Sequence, residues 1–99
     1  MKEYILCAAI HYNDNKEYYH QPINIKTGFV VTGHRHHNCF MTVKILREPI
    51  KGDHTQGFLT NTNKFVNRIE AMRIAISAGQ GGNYSKMRLS EPLFSEDLY

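Results

Sequence analysis

At 99 residues, 41% hydrophobic and 21% charged, the chain has the size and composition of one globular domain, residues 1–99, and not of a disordered segment. A net charge of +3, with no block of about five like charges, argues against duplex nucleic acid but suits a small polyanion. No stretch nears the roughly 18 apolar residues of a membrane span, and Met1-Lys2-Glu3 leads into no signal-like segment, so a cytoplasmic protein with Cys7 and Cys39 as free thiols is expected.

Tyr4 to Tyr12, "YILCAAIHY", is short, apolar and bounded by turn residues, which predicts a buried strand. Asn13-Asp14-Asn15 is turn chemistry, and Glu17 to His20 is read as a hairpin partner that Pro22 interrupts. Ile23-Asn24-Ile25 is a connector or edge strand. Gly28 to Thr32 is a second strand, ended by Gly33. From His36 to Arg47 apolar residues recur at helical spacing (Phe40, Val43, Ile45-Leu46) until Pro49 stops the run.

Gln56 to Thr60 is a strand, "NTNK" a turn, and Phe65-Val66 pairs back. Asn67 with Glu70 three residues on is a helix start with its capping residue. Ile69, Met72 and Ile76 form one stripe and Gly79 a stop, predicting a helix over 68–78. "QGGNYSK" is a loop. The tail carries Leu93, Phe94, Leu98 and Tyr99, too apolar to hang free; it is expected to dock on a neighbouring copy, where Glu96 and Asp97 would meet cations such as Arg68 and Arg73. The order of elements predicts an α+β fold: a small, mainly antiparallel sheet of about four to five strands with two helices packed on one face.

"GHRHHNCF", residues 33–40, holds half of the six histidines. A metal would need a third ligand beside His34 and His36. Asp53 and His54 are the available ones, and no motif fixes them. Two-histidine phosphoester chemistry is unsupported, since no histidine has Ser or Thr two residues on. Cys39 beside His36 and His37 has the neighbours of a thiol nucleophile, yet a cysteine on an apolar helix face is ordinarily core.

An anion grip fits better. Arg35, His36 and His37 stand where a strand ends and a helix begins, and helix starts present unpaired N–H groups and a positive dipole. Arginine offers a planar fork for phosphate. The alternative is a solvated loop. Gln56-Gly57-Phe58 offers close backbone approach to a ligand, or equally a bulge or strand crossing. Lys64 and Arg68 bring cations to a helix end whose dipole disfavours them. They serve a ligand or a salt bridge to Glu70, Glu96 or Asp97.

Taken together, "GHRHHNCF", "QGFLTNTNKFVNRIEAMRIAISAGQ" and "LFSEDLY" resemble a family of small bacteriophage-encoded proteins. Its pattern is an Arg-His-His block, a QGF strand, an F-V-x-R-x-E-A helix entry and a SEDL-aromatic ending. The likeness runs from about Gly28 to Tyr99. It departs at Asn61–Lys64, where the pattern carries a glycine-bearing turn.

The resemblance implies a viral anti-defence sponge of the Thoeris or CBASS signal-sequestering type. Such a protein binds a cyclic-nucleotide or cyclic ADP-ribose-type immune signal in the host cytoplasm without turnover. Its ligand positions would be Arg35, His36, His37, Gln56, Phe65 and Arg68, with no catalytic residue, metal or cofactor, in a homodimer or larger homo-oligomer. Two readings compete with it: a histidine-dependent phosphohydrolase acting on a similar nucleotide, and an inhibitor that binds a host protein.

Overall fold

The computed structural model describes residues 2–46, 54–80, 91–94 and 98. The element order is β1 (Ile5–Tyr12), β2 (Phe29–Gly33), α1 (His36–Leu46), β3 (His54–Thr60), β4 (Phe65–Asn67) and α2 (Arg68–Ser77). The four strands form one antiparallel sheet in the order β2-β1-β3-β4. β2 and β3 both run against β1, so α1 carries the chain across β1 from one to the other.

Strand alternation decides which residues meet the helices. Ala8, Ile10 and Tyr12 share a face with Val31 and Phe29 of β2 and with Phe58, Gln56 and His54 of β3. Both helices cover this face, and the core between them and the sheet is built from Ile10, Phe58, Met72, Cys39, Leu93 and the alanines at 8, 71 and 75. The fold class is therefore α+β as the sequence predicts.

The segment expected to be a strand at Glu17 to His20 is none. Residues 13–28 instead strap the opposite face and tie to both edge strands. Val30 of β2 donates its N–H to Gln21 Oε1 at 2.8 Å. Asn24 pairs its side-chain amide with the backbone of Phe65 in β4, at 2.6 and 2.9 Å. Asn15 and His20 adopt positive φ, which breaks the extended path a strand needs. Ala9 and Pro22 are buried on the strapped side.

α1 turns inward the expected Val43 and Cys39 but not Phe40. His36 and Cys39 are buried and Val43 packs on the core, whereas Phe40 is 40% exposed. In α2, Ala71, Met72, Ile74 and Ala75 are buried and Ile69 is 48% exposed. Small alanines let this helix lie close to the sheet, so the inward face follows packing space and not side-chain size.

The ends of α2 match the sequence reading. Asn67 Oδ1 accepts from Glu70 N at 2.8 Å, and the helix closes with Gly79 N–H on Ile76 O and Gln80 N–H on Ala75 O. The turn at Asn61–Lys64 manages without glycine, because Asn63 takes φ 62.

The tail docks on its own body at the positions described, not on a neighbouring copy as expected, because the core between α2 and the sheet has room for Leu93. Leu93 is fully buried in the core, its N–H bonds Arg68 O at 2.9 Å, and Leu98 packs against the same core. The loop "QGGNYSK" and the tail residues Glu96, Asp97 and Tyr99 lie outside the described residues, as does Asp53.

Candidate functional site

A side chain from the start of α1 and the cap of α2 both reach the middle of β3. His36, the first residue of α1, hydrogen-bonds its Nε2 to Gly57 O at 2.7 Å. Asn67, the N-cap of α2, is the register partner of the same Gly57. The first residue of α1 and the N-cap of α2, each at a positive helix end, therefore reach the same strand residue. No Asp or Glu stands in the first turn of α1 to offset its end.

His36 stands there as a structural residue. It is 6% exposed, and its ring meets Phe58 edge-on at 5.0 Å. That burial removes it from the surface grip expected of it. Phe65 is buried likewise: its ring lies over Gly57 on the strapped face, 5.7 Å from His11. A Cβ at Gly57 would meet Val66 O at 2.1 Å and Phe65 Cζ at 2.8 Å. Gly57 thus admits the neighbouring strand β4, not a ligand.

Arg35 and His37 remain at the surface beside this point, half-buried and exposed respectively. Arg35 caps α1: its N–H reaches Asn38 Oδ1 at 3.0 Å, and its carbonyl accepts from Asn38 N at 2.9 Å. Gly33 makes the preceding turn tight enough, since a Cβ there would come within 2.9 Å of Asn38 Cβ.

Gln56 and Arg68 are joined directly. Arg68 donates a guanidinium N–H to Gln56 Oε1 at 2.5 Å, and the same guanidinium lies over the Phe94 ring, 4.6 Å from its centroid. The cation at this helix start is held by an amide and a ring. Glu70, one expected partner, pairs with Arg73 instead. Of the six expected positions, the fold brings Arg35, His37, Gln56 and Arg68 around the helix starts and buries His36 and Phe65.

The sequence reading did not single out Phe40 as a surface group. Phe40 meets exposed His54 edge-on at 5.9 Å, and His54 in turn lies 5.7 Å from Tyr12. α1 lies over β2 and β1, and its His36 and Phe40 rings reach Phe58 and His54 of β3, with Gln56 between those two on the same strand face. The spacing of Phe40, four residues after His36, was the available signal.

Cys39 is buried, its Sγ near Ala8 O at 3.7 Å and Arg35 O at 3.6 Å. Burial pushes its thiol up to about 11, with Cys7 adding to the shift, so it holds its proton and is no nucleophile near neutral pH. Among the described residues no group of three His, Cys, Asp or Glu assembles as a metal site. Nor, among them, is any helix long and apolar enough to cross a membrane.

No curated protein and no solved structure matches the chain. The family model described as "Phage T4 y16D protein" matches residues 4–99, and the chain belongs to that family of small phage proteins.

Proposed function

We propose that the protein binds a small phosphate-bearing nucleotide and holds it without turnover, acting as a phage sponge for a cyclic-nucleotide or cyclic ADP-ribose-type immune signal. One observation supports the reading: the first residue of α1 and the N-cap of α2 both reach Gly57, with Arg35, His37 and Arg68 next to them in the chain. N–H dipoles, a guanidinium fork and an imidazole are the donors that phosphate takes. The site is open, since His37 is exposed and Arg35 half-exposed. Nucleotide sites enclose most of their ligand. A second copy of the chain, in a homodimer or larger assembly, would supply the missing wall.

The test is Arg35→Ala. Binding to a panel of nucleotide signals should fall by at least tenfold, with the melting temperature almost unchanged, because the Arg35 backbone bonds that cap α1 survive the substitution. Undiminished binding would remove the grip. Wild-type protein that returns a cleaved nucleotide would favour the phosphohydrolase reading. Wild-type protein that ignores all free nucleotides would favour an inhibitor of a host protein.

A further inference from the structure

The open corner beside Gln56 has the chemistry of a base-binding subsite. Its floor is β3, where His54 is exposed and Gln56 half-buried on the helix-covered face. Its wall is Phe40 of α1, 40% exposed and edge-on to His54 at 5.9 Å. Among the described residues α2 runs away from this corner. That helix starts at Arg68, level with Gly57, and closes at Gln80. The Gln80 side chain bonds both Ile5 N and Ile5 O at 2.8 Å, and Ile5 is paired with Thr60.

Gln56 supplies the polar element. Its Oε1 is taken by Arg68 at 2.5 Å. That bond fixes the orientation of the amide, and among the described residues its Nε2 donates no hydrogen bond. A half-buried amide with an oriented, uncommitted donor next to two accessible rings suits a flat heterocycle that carries an acceptor on its edge. An apolar partner would leave that donor unsatisfied.

From this juxtaposition the geometry points to a nucleobase-binding corner formed by Phe40, His54 and Gln56 Nε2. The base stacks on the exposed Phe40 ring, with the perpendicular His54 ring at its side, and an edge acceptor takes the Gln56 donor. Guanine, with O6 and N7 side by side, presents two such acceptors. This assignment rests on the phosphate-binding reading above. The phosphate would sit at the helix starts by Arg35, which α1 links to Phe40 by little more than one turn.

The experiment titrates the full-length protein with guanosine 5′-monophosphate and with ribose 5-phosphate, which lacks the base. Wild type should prefer the nucleotide. Phe40→Ala should weaken the nucleotide roughly 5- to 150-fold, the worth of one stacked base, and leave ribose 5-phosphate unchanged. Phe40→Tyr, which keeps a ring face, should restore nucleotide binding. Should Phe40→Ala fail to fold, Phe40→Leu keeps the bulk without the ring face and gives the same readout. An equal loss on both probes, or none on the nucleotide, would overturn the corner. Wild type that binds both probes equally also overturns the corner and spares the phosphate reading. Wild type that binds neither overturns both.

Discussion

Each histidine and cysteine of the 33–40 block has its role set by its surroundings. His36 satisfies the Gly57 carbonyl inside the protein and packs on Phe58. His36→Ala should cost about 2–4 kcal/mol, from a lost buried hydrogen bond and a cavity. A thermal melt that moves little would show that the bond contributes nothing. Cys39 is a small apolar residue in effect. Cys39→Ala should cost on the order of 1 kcal/mol and leave ligand binding intact. Its raised thiol also sets a pH dependence. The unfolded thiol ionises near its ordinary 9.0 and the folded one only near about 11. Its contribution to stability is therefore full below pH 9 and fades as pH rises toward 11. Wild type should lose more stability over that window than Cys39→Ala does; equal losses would contradict the assignment.

At the scale of elements, α2 was legible because its signals are local. Asn67→Ala should remove the cap on Glu70 N and cost about 1 kcal/mol, measured by denaturant midpoint. The tail adds a long-range contact. Leu93→Ala should cost about 2–5 kcal/mol, since the side chain is fully buried. Because the contact is within one chain, the loss should be the same in dilute and concentrated protein. A loss that shrinks as protein concentration rises would mean that a neighbour's tail fills the core. The strap at 13–28 was not legible as such. Its anchors are side-chain amides, Gln21 and Asn24, reaching backbone of strands that come later in the chain. No local period encodes such bonds. The inward stripe of α1 was misread for a related reason: Phe40 is large and apolar, but the space against the sheet fits Cys39 and His36.

For the whole molecule, the site belongs to no single segment. Arg35 and His37 could be picked out by residue type, and Gln56 and Arg68 by their neighbours in sequence. What the sequence did not convey is that His36 of α1 and the N-cap Asn67 of α2 both reach Gly57, because that follows from the strand order β2-β1-β3-β4 and the crossing of α1. The same topology buries Phe65 and brings Phe40 against His54. The central claim is that this convergence holds a nucleotide intact. The most direct measurement incubates the protein with a panel of cyclic nucleotides and cyclic ADP-ribose-type signals, removes unbound ligand, heats the complex, and weighs what is released by mass spectrometry. The account predicts that wild type releases one panel member at its original mass, and that Arg35→Ala releases none. Release of a hydrolysed product, or of nothing at all from wild type, would contradict it.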